Sequence, residues 1–250
     1  MPNSDEGDHA PIGFLCAMPE ERALLLDALV APTDLSDDVL RAHLGRLDGC
    51  PIVLAEAGVG KVEAATSATL LLERHGCGAL ILSGVAGGLD AALGIGDLVV
   101  ATRVVDVDYG RATDEGRVLY QPGTLPLPHI VGEPGYQLPV EIEDLVRERL
   151  DELEAAATLG TILSGDAFLA SAGIRDELAT PWSALAIEME SAAICGVARR
   201  FDVPWLIVRA LSDRAGEHSS IDFSTFVSSA AASAARVVRA LLPVMVATSR

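Results

Sequence analysis

Two breaks in one short stretch, Leu185–Asp213, carry residue types that can perform acid–base chemistry. Glu188 and Glu190 follow a short apolar run, and Ser212 and Asp213 follow a second one. Carboxyl groups can donate or accept a proton while a bond is made or broken. A single acid at such a position is most simply a helix-capping or loop residue. Polar groups at the ends of two adjacent strands together favour a functional site.

The segments of this stretch have the pattern of a strand, a helix and a strand. Leu185–Ile187 is apolar, Ser191–Arg200 is rich in alanine and other helix formers, and Val203–Leu211 is again apolar. This succession predicts a βαβ unit whose two strands are parallel neighbours. Ligands of open α/β sheets bind outside the carboxyl ends of the strands, so the pattern predicts that the polar residues face a ligand.

The overall composition indicates one α/β domain. The chain has 250 residues, of which 50% are hydrophobic, and this is enough for one large core. Alternating strand-like and helix-like segments predict a single domain over residues 11–250, and the polar, acidic residues 1–10 predict a disordered tail. The net charge of −18, without any basic stripe, argues against nucleic acid and an anionic membrane surface as partners.

The cysteines and histidines show no spacing that indicates a disulfide framework or a metal site. We therefore expect reduced thiols, a cytoplasmic location and no metal. The four cysteines are Cys16, Cys50, Cys77 and Cys195. The apolar stretch Ala230–Ala247 is interrupted by Arg236, Arg239 and Pro243, which predicts a surface-docked helix rather than a membrane span.

A further acidic position lies near the amino terminus. Ile12–Ala17 predicts the first strand, and Pro19 fits the first position of the helix that follows. Glu20 and Glu21 fall in the first turn of this helix, where the helix dipole favours acids. They also follow the carboxyl end of a strand, as the later acids do. A DG turn within residues 41–56 predicts a β-hairpin.

Two glycine-rich segments lack the patterns of nucleotide-binding loops. Ala57–Lys61 is not a phosphate loop, because it lacks both the first glycine and the serine or threonine after the lysine. It predicts a tight turn into a helix over Val62–His75. Gly84–Gly88 follows the strand-like segment Ala79–Ser83 but does not match GxGxxG, so no NAD is inferred. Glycines there still permit close approach of the backbone to a ligand.

The middle of the chain is its least regular part. Asp106–Tyr136 contains four prolines and all three tyrosines, and a loop of this length predicts a lid, a binding loop or an interface. Val140–Ala157 predicts an amphipathic helix. Thr158–Ser164 predicts a strand that leads to Phe168, which either fills the core or stacks on a flat ligand.

Seven motifs along the chain resemble one known family when they are taken together. They are, in order, IGFLCAMPEE, GVGKVEAA, SGVAGGLD, LGIGDLVV, SGDAFL, AIEMESAA and VRALSD. The chain resembles the purine nucleoside phosphorylase and nucleosidase superfamily, and within it most the bacterial 5′-methylthioadenosine/S-adenosylhomocysteine nucleosidases. The resemblance implies a three-layer α/β/α sandwich around a twisted mixed β-sheet, a homodimer, a nucleoside substrate, and no metal or organic cofactor.

The resemblance also implies catalytic roles for four positions. Glu21 would activate the attacking water, and Arg209 would help to place it. Asp213 would act on adenine N7 as the general acid, positioned by Ser212. One carboxyl group for the leaving group and another for the water is the division of roles found in glycosidases.

Substrate-binding roles are implied in the same way. Phe168 would stack on the purine, and the backbone of Leu169 would read the purine edge. Glu190 would hold the ribose hydroxyls, with Met189 under the sugar, and a partner subunit would contribute from the Asp106–Tyr136 segment. The other pocket positions implied by the resemblance are Glu188, Val85, Ala86, Gly87 and, around the 5′ substituent, Met18 and Phe223.

Two positions, Val85 and Pro19, depart from the family, and several functions remain open; Pro19 replaces a more usual acid but fits a helix start. The nucleosidases commonly carry serine where this chain has Val85, so the details of water positioning remain open. Phosphorylases of this fold hold phosphate with several arginines, whereas Glu21 at the first-strand site would repel phosphate and favours hydrolysis. The alternatives are a purine nucleoside phosphorylase, a nucleosidase for futalosine or another modified 5′ group, and a non-catalytic nucleoside-binding protein.

Overall fold

The computed structural model describes residues 10–130, 132–153, 156–216 and 218–249. The strands are β1 (Ile12–Cys16), β2 (Val30–Asp34), β3 (Arg41–Leu47), β4 (Cys50–Glu56), β5 (Ala79–Gly88), β6 (Leu98–Asp106), β7 (Gly110–Thr113), β8 (Gly116–Leu119), β9 (Tyr136–Gln137), β10 (Ala157–Ser164), β11 (Ala184–Glu188) and β12 (Trp205–Asp213). The helices are α1 (Pro19–Asp27), α2 (Lys61–His75), α3 (Val140–Glu152), α4 (Ala172–Ala179), α5 (Ser191–Phe201) and α6 (Ser219–Thr248). The predicted disorder of residues 1–10 concerns positions that, apart from Ala10, lie outside the described residues.

Most of these strands belong to one mixed sheet. Its order is β11-β10-β6-β12-β5-β1-β4-β3-β2, with β9 paired to β6. β5 is parallel to β1 and β12, and β6 is parallel to β10, whereas β12 and β6 are antiparallel. The sheet also curls, because β11 pairs with the end of β5 as well as with β10. This confirms the predicted mixed α/β architecture.

Helices cover the sheet in two groups. α2 contacts α5, and both contact strands of the sheet. α6 contacts β5 and β12 and also packs against α1 and α3. Because the central strands are covered on both faces, every residue of β12 is buried, including its polar end. The layered fold therefore explains why the last apolar run of the sequence shows no alternation of polar and apolar residues.

The sequence suggested that the last helix begins at Phe223. In the structure this long helix, α6, begins four residues earlier, at Ser219. Among the described ranges it is the one helix long and apolar enough to cross a membrane, and 56% of its most apolar window is buried in the protein. Its contacts with β5 and β12 account for its apolar residues, as expected of a docked helix.

The predicted pairing of the two strands in Leu185–Asp213 is wrong. The helix between them is present as α5, but β10 and β6 separate β11 from β12 in the sheet. Strand pairing depends on segments distant in sequence, and neighbours along the chain are not always neighbours in a sheet. The ends of the two strands nevertheless meet, because the sheet curls and Arg209 of β12 donates a hydrogen bond to Glu188 at the end of β11.

The sequence suggested that the glycine segment Gly84–Gly88 is a loop. In the structure it forms the second half of β5. A Cβ atom on Gly84 would overlap Nη1 of Arg209 and Oε1 of Glu21. This glycine is therefore needed because two charged side chains pack directly against the strand.

β-Hairpins join several consecutive strands. The hairpin predicted within residues 41–56 is confirmed as β3 and β4, with positive φ angles of 49° at Asp48 and 84° at Gly49. The sequence did not predict β2, which pairs with β3 at the sheet edge. The irregular segment Asp106–Tyr136 contains a second hairpin, formed by β7 and β8.

Candidate active site

A cavity of 420 Å³ opens where several strands end. This volume is in the range of small-molecule sites. Its described lining residues are Ala17, Met18, Glu21, Val59, Val85, Ala86, Gly87, Ala167, Phe168, Leu169, Ile187, Glu188, Met189, Glu190, Ser212, Asp213, Ser220, Phe223 and Ser224. The fold thus brings every predicted site residue to this lining except Arg209, which lies behind it.

Glu21 occupies one wall of the cavity and is held by backbone amides. Its Oε2 accepts hydrogen bonds from the N–H groups of Ala17 at 2.8 Å and Met18 at 3.1 Å, and its Oε1 accepts one from Val85 at 2.9 Å. Burial raises the pKa of Glu21, while Arg209 and the three N–H groups oppose this rise. The carboxylate is therefore fixed in place and able to accept a proton.

Arg209 lies fully buried in β12. Its Nη2 donates to Glu188 and, at 2.9 Å, to Glu190, while its Nη1 lies 4.0 Å from Oε1 of Glu21. Its Nε and Nη1 have no hydrogen-bond partner within the described part of the chain. One guanidinium thus faces three carboxylates. We call Arg209, Glu21, Glu188 and Glu190 the Arg209 cluster.

The two acids after β11 have different partners. Glu188 accepts hydrogen bonds from the N–H groups of Glu190 at 3.1 Å and Ser191 at 2.9 Å, as well as from Arg209. It therefore caps the start of α5. Glu190 instead accepts from the N–H of Gly60 at 2.9 Å and from Arg209. The helix-capping explanation thus applies to Glu188, and the carboxylate of Glu190 is shared between two distant elements.

The charge balance of the Arg209 cluster affects its protonation. Burial raises the pKa of Glu190 to about 7; Arg209 lowers it and Glu188 raises it further. Burial lowers the pKa of Arg209, but the charges of Glu188, Glu190 and Glu21 outweigh this and raise it. The guanidinium therefore stays charged, and Glu190 changes its charge near neutral pH.

Asp213 and Ser212 form the wall at the end of β12. Oδ1 of Asp213 accepts a hydrogen bond from the N–H of Ala215 at 2.8 Å. The hydroxyl of Ser212 lies 3.0 Å from Oδ2 of Asp213 and 3.3 Å from the carbonyl oxygen of Ala86. Its single proton serves one acceptor at a time. The serine can therefore donate to ionised Asp213, or turn to Ala86 when Oδ2 carries a proton.

Two phenylalanines form the apolar side of the cavity. Phe168 is 47% exposed, so the alternative that it fills the core is wrong. Its ring meets that of Phe223 edge-on, with centroids 5.9 Å apart and an interplanar angle of 85°. Leu169 follows directly in the lining. An exposed ring at a cavity mouth offers a face on which a flat ligand can stack.

Val85 contributes to the site through its backbone. Its N–H makes the hydrogen bond to Glu21, which any residue type at this position can make. Its side chain packs in an apolar cluster with Ala210, Met18 and Phe223. The valine therefore leaves the anchoring of Glu21 intact and makes this wall apolar.

The sequence reasoning missed several lining residues. Ser220 and Ser224 lie on α6 at helical spacing around Phe223, and this spacing could have identified them. Val59 lies in the turn before α2 and carries no chemical signal in the sequence. Gly60 escaped notice because its contribution is a backbone N–H directed at Glu190.

The lining is strongly one-sided in charge. It contains Glu21, Glu188, Glu190 and Asp213, and none of the described lining residues is lysine, arginine or histidine. Negative groups inside such a cavity repel an anion and stabilise a group that develops positive charge. Across the described ranges, no group of three or more His, Cys, Asp or Glu side chains could hold a metal ion.

Comparison with known proteins gives the class of this fold and site. A family model described as the phosphorylase superfamily matches residues 11–243. The 5′-methylthioadenosine/S-adenosylhomocysteine nucleosidase of Mycobacterium bovis is 42% identical, with 94% of this chain and 98% of the relative covered. The chain belongs to the phosphorylase superfamily and, within it, to the family of 5′-methylthioadenosine/S-adenosylhomocysteine nucleosidases.

Solved structures are similar over nearly the whole chain. The Neisseria meningitidis 5′-methylthioadenosine/S-adenosylhomocysteine nucleosidase in complex with methylthio-immucillin-A has a TM-score of 0.82 and 30% identity, covering 93% of this chain and 98% of its own. The Helicobacter pylori futalosine hydrolase has a TM-score of 0.84 and 27% identity, covering 93% and 97%. The fold alone therefore does not separate these two activities.

Proposed function

We propose that the protein hydrolyses the N-glycosidic bond of 5′-methylthioadenosine and S-adenosylhomocysteine, releasing adenine and a 5-substituted ribose. The observation that carries this proposal is that Glu21 and Asp213 line one nucleoside-sized cavity from different elements. Breaking this bond produces an electron-rich base and a cationic sugar, so it needs an acid at the base and a carboxylate at the water.

Asp213 is the proposed general acid. Its Oδ2 would carry the proton for adenine N7, while Oδ1 stays bonded to the N–H of Ala215. Ser212 would donate to Ala86 before the transfer and to Asp213 afterwards, when the carboxylate is ionised. General acid catalysis of this kind typically contributes about 10²–10⁴-fold in rate.

Glu21 is the proposed acceptor of a proton from the attacking water. Nη1 of Arg209 lies 4.0 Å from Oε1 of Glu21, so Arg209 would help to place the water by orienting the carboxylate that receives the proton. Three backbone N–H groups hold the carboxylate in position before the reaction starts. Arg209 therefore acts here by placing the water and by holding Glu190.

The Arg209 cluster also bears on the sugar. Glu190 would accept hydrogen bonds from the ribose hydroxyls, with Met189 beside it in the lining. Since one guanidinium faces three carboxylates, the cluster is negative, and it would stabilise the positive charge that develops on the ribose. Glu188 supports this arrangement by fixing Arg209 and the start of α5.

The remaining lining residues would hold the two ends of the substrate. Phe168 would stack on the purine, and the backbone of Leu169 would bond its edge. Val85, with Met18 and Phe223, forms an apolar wall suited to a 5′-alkylthio group. The lining residues Ala86 and Gly87 belong to β5 and would pass beside the sugar and base.

Three alternatives to this reaction make different demands on the cavity. Phosphorolysis needs a phosphate beside the sugar, and none of the described lining residues carries a positive charge to hold it. Futalosine hydrolysis is the second candidate because the Helicobacter pylori enzyme has the same fold. A non-catalytic binding protein would not need Glu21 and Asp213 on the walls of one cavity.

The test is product analysis with and without phosphate. Incubation with 5′-methylthioadenosine should release adenine at the same rate in both conditions, and S-adenosylhomocysteine should also be cleaved. Strict dependence on phosphate, with ribose 1-phosphate as product, would establish a phosphorylase instead. Faster cleavage of futalosine would establish the second candidate. Recovery of all bound nucleosides unchanged would refute catalysis.

The proposal extends to the domain organisation, cellular location and oligomeric state of the enzyme. We expect residues 11–250 to act as one domain, in the cytoplasm, as a homodimer. Support for the dimer comes from large exposed apolar side chains in and next to the cavity mouth, including Val59, Phe168 and Ile221. Sedimentation should therefore give about twice the 26.0 kDa of one chain, and a single-chain mass would contradict the dimer.

A further inference from the structure

The chain contains one lysine, Lys61, and its ammonium group lies among three aspartates. Nζ donates to Asp106 at 2.8 Å and to Asp108 at 2.9 Å, and it lies 3.6 Å from Asp166. The three carboxylates come from the end of β6, the loop after β6, and the loop after β10. We call Lys61, Asp106, Asp108 and Asp166 the Lys61 cluster.

Backbone hydrogen bonds join the same segments around the ammonium group. Asp166 donates its N–H to Oδ2 of Asp108 at 2.7 Å, and Asp106 accepts from the N–H groups of Asp108 and Tyr109. Without the lysine, three carboxylates would face one another here, and the guanidinium of Arg117, 3.7 Å from Oδ1 of Asp108, would reach one of them from the edge. Lys61 therefore balances a junction that would otherwise repel itself.

The same residue reaches towards both ends of the proposed substrate. Its backbone N–H donates to Oδ1 of Asp166 at 3.1 Å, and Asp166 lies two residues before Phe168. The preceding residue, Gly60, donates its N–H to Glu190 at 2.9 Å. Gly60 has a φ angle of 96°, a conformation that residues other than glycine strongly disfavour. Lys61 and Gly60 thus link Glu190, the proposed partner of the ribose hydroxyls, to the segment that carries Phe168.

Lysine suits this junction better than arginine does. Every other fixed cation of the chain is an arginine. An ammonium group is a compact charge that can donate in three directions, whereas a guanidinium is a planar fork suited to one or two carboxylates. Burial lowers the pKa of Lys61, but the hydrogen bonds and charges of Asp106 and Asp108 outweigh it, so the pKa is raised and the group stays charged.

We infer that Lys61 is a positioning residue for nucleoside binding: it holds the 165–169 segment and Gly60 in register, so that Phe168 and Glu190 engage the purine and the ribose together. This inference rests on the proposed function. Lys61 is not among the residues that line the cavity, so it acts through its neighbours.

Steady-state kinetics of Lys61→Met with 5′-methylthioadenosine tests this inference. Lys61→Met leaves the charge of the Arg209 cluster unchanged and loosens only the stacking on Phe168 and the placement of Glu190 against the ribose hydroxyls, contacts already made in the bound ground state, so KM should rise about tenfold while kcat changes less than about threefold. The matched control is Arg74→Met, which removes one charge from the same helix, at its exposed pair with Asp37. This control should leave both parameters unchanged. A KM of Lys61→Met within twofold of the wild type would overturn the inference, as would an equal rise in the control.

Two further variants separate positioning from mere stability. Lys61→Arg keeps the charge but not the three-way geometry, so its KM should lie between those of the wild type and Lys61→Met. Asp166→Asn removes the charge from the longest and most exposed ion pair, while its amide oxygen can still accept the backbone N–H of Lys61, and it should raise KM about twofold with an unchanged Tm. These two remain informative if Lys61→Met does not fold. A fall in Tm and kcat at constant KM would show a structural role and overturn the inference.

Hydrogen exchange keeps this test independent of activity. In the free protein, the amide of Asp166 should exchange about tenfold faster in Lys61→Met than in the wild type, because the segment it anchors is released. Absence of adenine release by the wild type would refute the proposed function, whereas unchanged exchange in Lys61→Met would refute the role of Lys61.

Discussion

The molecule contains two clusters in which one cation faces three carboxylates, and they differ in burial and cation type. The Arg209 cluster is built on arginine, and all of its side chains are at most 5% exposed. The Lys61 cluster is built on lysine, and the exposure of its carboxylates rises from 8% at Asp106 to 56% at Asp166. Both carry more negative than positive charge, although Arg117 lies 3.7 Å from Asp108 at the edge of the Lys61 cluster.

Burial decides what that surplus charge does. In the Arg209 cluster burial raises the pKa of Glu190, Arg209 lowers it and the charge of Glu188 raises it further, and the unscreened surplus creates a negative potential beside the proposed ribose site. In the Lys61 cluster solvent screens part of it, and the pKa of Asp108 is lowered: burial raises it, but Lys61 and the N–H of Asp166 outweigh burial. The first cluster is thus suited to chemistry and the second to holding loops.

The largest expected effect comes from a residue outside both clusters. Asp213→Asn cannot protonate the leaving base, so kcat should fall at least about 10²-fold while both clusters and Tm remain unchanged. Turnover of 5′-methylthioadenosine measures the loss. The control is Asp90→Asn, in an exposed turn where its carboxylate accepts a hydrogen bond from the N–H of Ala92. Near-normal turnover of Asp213→Asn would remove Asp213 from the mechanism.

Loss of the buried cation Arg209 should lower the stability of the protein, because its carboxylate partners are shielded from water. Arg209→Met leaves three buried carboxylates without their partner, so the free energy of unfolding should fall by about 3–5 kcal/mol. Urea unfolding measures it. Arg239→Met is the matched control, since it breaks an exposed pair with Asp48 and should cost less than about 1 kcal/mol.

If Arg209→Met costs no more than that control, the buried cluster does not depend on its cation and the comparison fails. Arg209→Lys provides a second measurement should the methionine variant not fold. It keeps the charge but loses the fork that reaches Glu188 and Glu190, so its stability should fall between those of the wild type and the methionine variant.

The smallest predicted effect is a pH dependence of substrate binding. The pKa of Glu190 is about 7. Above it the ionised carboxylate accepts hydrogen bonds from the ribose, and below it the proton blocks one acceptor. Between pH 8 and pH 6, kcat/KM should therefore fall about tenfold as the ionised fraction falls.

Glu190→Gln provides the control for this pH profile. Its kcat/KM should be lower throughout and nearly flat over the same range, because the amide does not titrate there. An unchanged slope in Glu190→Gln would assign the pH dependence to another group, and would remove the link between the charge surplus of the Arg209 cluster and ribose binding.

Local signals in the sequence predicted much of the fold. Pro19 followed by two acids predicts the start of α1, and DG within residues 41–56 predicts a hairpin, because both depend on neighbouring residues only. The pairing of β11 with β12 was predicted wrongly, since it depends on β6 and β10, which lie far away in the chain. The sequence could not distinguish the roles of Glu188 and Glu190, because both are acidic residues next to the start of the same helix.

The sequence by itself determined which chemical groups stand at the strand ends, because motif order and residue type are properties of the chain. Only the tertiary structure decided that Glu21 meets Arg209, that Glu188 caps a helix while Glu190 is held between Gly60 and Arg209, and that the lone lysine joins the end of β6 to the loops after β6 and β10. Burial and charge balance depend on distances between residues remote in sequence, and those distances exist only in the folded chain.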